Sequence, residues 1–232
     1  MKSVWAVLAV FIFMPVWWAL FNQNGSEWTL QARALDLHTD LRFWIFQWDF
    51  LNFTVEPEAV QAINAVEILL FIPLFTNIIY PFIERLGIKV TPLRKVAAGF
   101  VVTAITFCIV AFIQIKIDRG ERPDVMWQYL AYTVLTVAEV LVSVTMLEYA
   151  YTQAPPSMKS TIIAFWHATV AVGSILVSFM NGNIKNGGFF SRFQGSDYYW
   201  FFTGVMLVTT LVFMFASGKI KEKNYLVNEA TK

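Results

Sequence analysis

The sequence WQYLAYTVLTVAEVLVSVTMLEYA, residues Trp127–Ala150, is long and apolar enough to cross a bilayer as a single helix. It carries Glu139 near its middle. Insertion scales put the free-energy cost of an acidic residue at a helix centre at roughly 2.5–3.5 kcal/mol. Such residues therefore usually face a bundle interior or a water-filled cavity. Glu139 is therefore predicted to mark the path of an ion or a substrate.

The composition predicts an integral membrane protein. Its hydrophobic fraction is 57% and its charged fraction 14%, against roughly 45–50% and about 25% for soluble domains; the mean hydropathy is +0.57. The pattern predicts an all-α fold with a bundle over residues 1–217 and a cytoplasmic tail over 218–232. Six spans of bilayer length are expected: Val4–Phe21, Ala62–Ile83, Val96–Ile115, Trp127–Ala150, Thr161–Met180 and Tyr198–Ser217.

The first span has a second interpretation, because Met1 and Lys2 followed by an apolar run resemble a secretory signal peptide. A signal core is typically about 7–15 residues, shorter than this run, and no A-x-A-like cleavage site follows. The run also contains the string Pro15-Val16-Trp17-Trp18. We therefore expect the first span to be retained.

The basic residues predict the orientation, since cytoplasmic loops carry an excess of Lys and Arg. Assigning alternate loops to opposite sides leaves ten on the side of both termini: Lys2, Arg85, Lys89, Arg94, Lys95, Lys159, Lys219, Lys221, Lys223 and Lys232. The other side has seven: Arg33, Arg42, Lys116, Arg119, Arg122, Lys185 and Arg192. Both termini are expected in the cytoplasm, and the short turn between the third and fourth spans suggests a bacterial inner membrane.

The sequence contains no motif of a soluble enzyme. It has no Gly-rich phosphate loop, no H-E-x-x-H and no G-x-S-x-G. Its single cysteine, Cys108, lies inside the third predicted span, and its histidines are only His38 and His167. We expect neither catalysis nor a metal or other cofactor, and no basic stripe predicts nucleic-acid binding.

Polar side chains inside other spans could act with Glu139. Ser143 lies four residues after it and therefore shares its helix face, and Asn64 and Glu67 are three apart on one face of the second span. Asn64 could equally be a hydrogen-bonding contact between helices, and Glu67 a carboxylate that reaches the interface. Glu148 is expected to point away from Glu139 and to form a structural pair or a helix cap.

One carboxylate with an amide, a hydroxyl and nearby indoles suits an ammonium group, because a buried carboxylate pairs with positive charge. The indoles considered are Trp18 and Trp166, although indoles in spans more often pack or face lipid. With no cation beside it, Glu139 is expected to take up a proton, because burial disfavours the charged form. Binding of an amine and movement of a proton could thus be coupled.

The connection Asn22–Pro57 is the longest between spans and mixes charged residues with aromatic ones. Such a composition is typical of a segment at the membrane surface. We expect it to lie on the outer face as an ordered loop whose aromatic side chains act as anchors: Phe43, Trp44, Phe46, Trp48 and Phe50.

Several strings of the chain resemble the proton-dependent oligopeptide transporter (POT/PTR) family of the major facilitator superfamily. They are Trp17–Ala32 (WWALFNQNGSEWTLQA), Asn64–Phe75 (NAVEILLFIPLF), Ala138–Ser143 (AEVLVS), Leu147–Pro155 (LEYAYTQAP) and Thr169–Gly173 (TVAVG). The resemblance covers nearly the whole chain but only the C-terminal six-helix half of the family's fold. The N-terminal half, with its E-x-x-E-R-F motif, is missing, and Met1 would be an internal methionine.

The resemblance implies symport of di- and tripeptides with protons, without a cofactor. It places Glu139 and Asn64 at the peptide amino end, and Ser143, Trp18 and Trp166 along the same cavity. The partners it implies are the peptide, the lipid bilayer and the missing half. The alternative is a non-transporting membrane fragment, or a half-protein that associates with a separate partner.

This sequence departs from the family pattern at several positions. Asn22 stands where an acidic residue usually takes part in proton coupling, and Glu67 replaces an apolar residue. The proton-coupling candidates are therefore Glu139 and Glu67. Other departures are Met146 for glycine, Ser174 for asparagine and His167 for an aliphatic residue.

Overall fold

The computed structural model describes residues 2–40, 52–153 and 156–220. Six helical stretches of this part are long and apolar enough to cross a membrane, which confirms the predicted all-helical membrane fold. We number them spans 1 to 6 in chain order: Val7–Ala32, Pro57–Arg85, Pro92–Asp118, Met126–Gln153, Lys159–Lys185 and Ser196–Ser217. The predicted aromatic anchors Phe43, Trp44, Phe46, Trp48 and Phe50, and the tail from residue 221, lie outside the described residues.

Span 1 consists of several short helical segments. They are the α-helices Lys2–Phe11, Met14–Phe21 and Glu27–Ala32 and the 3₁₀ turn Asn22–Gly25. Pro15 lies at the start of the second segment, and a proline without an N–H interrupts the hydrogen-bond ladder there. The span extends to Ala32, beyond the predicted end at Phe21, because the helix continues through polar residues that hydropathy does not count as spanning.

Spans 2 and 4 each contain a π-helical turn, a feature that often marks a functional site. In span 2 a 3₁₀ turn precedes the helix, and Pro73 lies just before the π turn: Pro57–Ala59, Ala62–Leu74, Phe75–Ile79 (π) and Tyr80–Arg85. In span 4 the π turn directly follows Glu139: Met126–Glu139, Val140–Val144 (π) and Thr145–Gln153. The backbone is therefore irregular beside the predicted site.

The connections after span 2 are short, whereas residues 33–56 separate spans 1 and 2. Strands β1 (His38–Asp40) and β2 (Asn52–Thr54) pair antiparallel with His38 opposite Thr54. The 3₁₀ turns Pro156–Met158 and Phe189–Arg192 precede spans 5 and 6. Spans 3, 5 and 6 are uninterrupted α-helices with the bounds given above.

The core of the bundle forms around span 3, which packs against spans 4 and 6, while span 1 packs against span 5. Large aromatic side chains fill it: Trp17, Phe100, Phe107, Tyr132 and Phe213. The Trp17 Nε1–H donates to Thr103 Oγ1 at 3.0 Å, so the buried indole has the partner that burial requires. Spans 1 and 3 are thereby tied together.

Span 2 lies at the margin of the bundle and packs mainly against span 4. Its other side exposes apolar residues, such as Leu69, whose exposed fraction is 73%. Exposed apolar side chains of this kind suit contact with lipid hydrocarbon. The packing on span 4 brings the polar residues of span 2 against Glu139.

Candidate functional site

Asn64 and Glu139 are in direct contact between spans 2 and 4. Asn64 Nδ2 donates to Glu139 Oε2 at 2.9 Å and to Thr136 Oγ1 at 2.8 Å. Both N–H groups of the Asn64 amide therefore donate hydrogen bonds. Because an ionised carboxylate can only accept, the amide group that faces Glu139 must be the nitrogen. No hydrogen bond from the described residues reaches Asn64 Oδ1, which leaves an acceptor beside the carboxylate.

Glu67 lies in the same polar cluster, one helical turn from Asn64. Thr133 Oγ1 donates to Glu67 Oε1 at 2.5 Å, and Thr136 Oγ1 donates to Glu67 Oε2 at 3.0 Å. Glu67 is half-buried, and its carboxylate is held by these two hydroxyl groups of span 4. The two threonines were missed from the sequence, although Thr136 lies three residues and Thr133 six residues before Glu139, a spacing that could have identified them.

Ser143 lies inside the π turn that follows Glu139 and is half-buried. A π turn has more residues per turn than an α-helix, so Ser143 is rotated around the axis relative to the α-helical position that was assumed. It is still about one turn from Glu139. Its hydroxyl is near the acidic cluster without a hydrogen bond to it among the described residues.

Trp18 and Trp166 form an aromatic cluster between spans 1 and 5. Their ring centroids are 5.7 Å apart in an edge-to-face arrangement, and Trp166 also contacts Phe11 at 5.6 Å. Trp166 is buried, with an exposed fraction of 5%. The buried Trp18 Nε1–H has no acceptor within the part of the chain that the structure describes, so this indole retains a free donor.

The predicted site residues thus fall into two groups. Asn64, Glu139 and Ser143 are on spans 2 and 4, and the two tryptophans are on spans 1 and 5. No hydrogen bond or ring contact joins the groups within residues 2–40, 52–153 and 156–220. Any substrate that touches both groups must occupy the space between the two pairs of spans.

Glu148 forms the structural pair that was expected of it. Its carboxylate lies 3.8 Å from Lys95 Nζ, and the Lys95 ammonium lies over the ring of Tyr80 at 4.7 Å from the centroid. The Glu148 side chain is 66% exposed. This residue is separate from the Glu139 cluster and provides a matched acidic control on the same span.

A polar cavity of about 350 Å³ lies where spans 1, 3 and 5 end and span 6 begins. Glu27 and Asn181 meet there, with Asn181 Nδ2 donating to Glu27 Oε1 at 2.8 Å and Tyr198 donating to Asn181 Oδ1 at 2.9 Å. The residues that line it include none of the predicted site residues. The cavity is therefore distinct from the Glu139 cluster.

A helical membrane bundle that holds a carboxylate and an amide in contact in its interior is typical of proteins that carry ions or solutes across a membrane. The sequence profile of the POT family matches residues 1–201, which is most of the chain. The chain belongs to the POT family.

Relatives of known sequence carry peptide-transporter names. Solute carrier family 15 member 2 of Mus musculus is 35% identical over 144 residues, which cover 62% of this chain and 18% of that protein. Peptide transporter PTR2 of Saccharomyces cerevisiae is 29% identical over 188 residues, which cover 75% of this chain and 29% of that protein. The chain therefore spans less than a third of the length of these two relatives, and none of the names describes an enzyme.

Solved structures share the fold. An auto-inhibited POT family peptide transporter superposes with a TM-score of 0.79 at 30% identity, covering 96% of this chain and 43% of that one. A proton-dependent oligopeptide (POT) family transporter superposes with a TM-score of 0.69 at 34% identity, covering 91% of this chain and 42% of that one. The chain is thus an integral membrane protein whose fold occupies under half of each solved transporter.

Proposed function

We propose that this chain supplies the C-terminal six-helix half of a proton-coupled symporter of di- and tripeptides. The observation that carries the proposal is the contact between Asn64 and Glu139. It presents a carboxylate and a free amide oxygen side by side, which together suit a primary ammonium group. The names of the relatives, which are peptide transporters, support a peptide as the source of that ammonium.

In this proposal Glu139 binds the peptide ammonium when it is charged and holds a proton when the site is empty. Ser143, Trp18 and Trp166 line the remainder of the space, and Glu67 is the second proton-coupling candidate. The coupling ion is the proton, and no other cofactor takes part. This chain covers 43% and 42% of the two solved transporters, which supports the need for a second six-helix half.

The two halves would rock around a site near the bilayer midplane, as in other secondary transporters. The peptide would be held between them, with its amino end on this chain. The excess of Lys and Arg on the side of the termini supports a plasma-membrane protein with both termini in the cytoplasm, and the short turn between spans 3 and 4 supports a bacterial inner membrane.

The test is uptake of a labelled dipeptide by proteoliposomes that contain this six-helix half assembled with an N-terminal half. A Glu139→Gln variant is expected to lose uptake driven by a proton gradient. A Glu148→Gln variant is expected to keep it, since that carboxylate is exposed and paired with Lys95. Normal gradient-driven uptake by Glu139→Gln would overturn the proposal.

A further inference from the structure

Glu67 is held by two hydroxyl groups, each of which has a second acceptor within reach. Thr133 Oγ1 lies 2.5 Å from Glu67 Oε1 and 3.0 Å from the carbonyl oxygen of Tyr129. Thr136 Oγ1 lies 3.0 Å from Glu67 Oε2 and 2.9 Å from the carbonyl oxygen of Tyr132. A hydroxyl has one proton to donate, so each threonine must choose between the carboxylate and the backbone.

This choice fits both protonation states of Glu67. When Glu67 is charged, the hydroxyls of Thr133 and Thr136 both donate to it, and charge-assisted O–H···O bonds of this kind are short. When Glu67 is protonated, its own O–H can donate to one of the hydroxyl oxygens, and that threonine then donates to its backbone carbonyl. No buried polar group loses its partner in either state, so the cluster can take up and release a proton without a penalty from unsatisfied groups.

Asn64 connects this cluster to Glu139. Its two N–H groups donate to Thr136 Oγ1 and to Glu139 Oε2. Glu67 and Glu139 are therefore linked through only one hydroxyl and one amide.

The other charged groups around the pair are few. Span 2 packs on Met126–Glu139 and on the π turn Val140–Val144, and the titratable side chains of those segments are Tyr129, Tyr132 and Glu139. Neither these segments nor Ala62–Leu74 contains a Lys, an Arg or a His. These segments of spans 2 and 4 therefore offer no positive side chain to the two carboxylates.

We propose that Glu67 and Glu139 act as one coupled pair that keeps a single proton while the substrate binds. Before binding, Glu139 holds the proton and Glu67 is charged. When the substrate ammonium arrives at Glu139, that carboxyl becomes charged and the proton resides on Glu67. The pair carries one negative charge before and after, so binding releases no proton to the solution. This inference rests on the proposed function, since it takes the ammonium to bind at Glu139.

The test counts the protons released when a dipeptide binds to the transporter assembled from this half and an N-terminal half. Calorimetric titrations in buffers with different heats of ionisation give that number directly. The wild-type protein is expected to release close to none. A Glu67→Gln variant is expected to release about one proton per dipeptide at a pH where Glu139 is protonated, because the displaced proton has lost its acceptor.

Two further variants test the link between the carboxyl groups. Thr136→Val removes the bridging hydroxyl with little change of shape and is expected to increase proton release, whereas Thr136→Ser keeps the hydroxyl and is expected to restore low release. These variants also decide the question if Glu67→Gln does not fold. Glu148→Gln, which removes an acidic side chain outside the cluster, serves as the control for loss of a carboxylate.

The outcomes separate this inference from the proposed function. Proton release that is the same in the wild type, Glu67→Gln and Thr136→Val would overturn the coupled pair while dipeptide binding itself remained. Absence of dipeptide binding to the wild-type protein would overturn the proposed function and the coupled pair together. Release that rises only when Glu67 or the Thr136 hydroxyl is removed is the expected result.

Discussion

Asn22 Nδ2 donates a hydrogen bond of 2.9 Å to Ser174 Oγ, and this contact joins span 1 to span 5. Both residues were identified in the sequence as departures from the family pattern. The structure shows that the two departures meet: a neutral donor on one span faces a neutral acceptor on the other. The contact contains no titratable group, so in the proposed function the proton coupling is assigned to the carboxylates of Glu139 and Glu67.

Loss of the Ser174 hydroxyl is expected to weaken the packing of spans 1 and 5. Ser174→Ala leaves the half-buried amide of Asn22 without its acceptor and should lower the free energy of unfolding by about 1 kcal/mol. Denaturant titration in detergent measures this value. In an Asn22→Ala background the same substitution should cost clearly less, and equal losses in the two backgrounds would show that the side chains do not interact.

The close approach of spans 1 and 5 depends on Gly173. A Cβ added there would lie 2.8 Å from the carbonyl oxygen of Pro15 and 2.9 Å from the backbone nitrogen of Ala19, atoms that cannot move without shifting span 1. Gly173→Ala is expected to destabilise the protein by about 1–3 kcal/mol through overpacking. Gly182, on the same span, has no atoms within 4 Å of such a Cβ.

Gly182→Ala is therefore the matched control for Gly173→Ala. It should leave the unfolding transition unchanged or raise it slightly, because alanine favours a helix more than glycine does. Thermal unfolding of the two variants, followed by circular dichroism, compares them directly. A Gly173→Ala variant as stable as Gly182→Ala would contradict the close helix contact.

Trp166 is expected to be important for both stability and binding. It is 5% exposed and contacts the rings of Phe11 and Trp18, whereas Trp127 is 52% exposed. Trp166→Ala should lower the free energy of unfolding by about 3–5 kcal/mol, and Trp166→Phe should recover most of it. Trp127→Ala is the control and should have little effect in the same denaturant titration.

A role of Trp166 in the site would also be visible in affinity. Trp166→Phe, which keeps the ring packing, should still raise the dipeptide Kd if the indole contacts the substrate. A Trp166→Phe variant with the wild-type Kd would reduce this residue to a packing role between spans 1 and 5.

Most of the fold could be predicted from the sequence, because six apolar runs of bilayer length leave few alternatives. The extent of span 1 could not, since its last turns carry polar residues that the bundle buries, such as Gln31. The π turns were also missed, because they do not change the hydrophobic pattern. Element positions thus follow from hydropathy, whereas local helix geometry depends on packing.

The site was predicted in part. Glu139 could be singled out by its depth and Asn64 through the family resemblance, and the structure places these two in contact. Glu67 had no explanation in the sequence, because its partners Thr133 and Thr136 are on another helix. Contacts between helices depend on their relative rotation and height, which one sequence does not specify.

The most direct test of the central claim is a comparison of two ligands, a dipeptide and the same dipeptide with its amino group acetylated. The wild-type protein is expected to bind the free dipeptide much more tightly, since acetylation removes the charge that faces Glu139. In Glu139→Gln this difference in affinity should largely disappear. An equal preference for the free dipeptide in both proteins would contradict the account, because the ammonium would then be recognised somewhere other than Glu139.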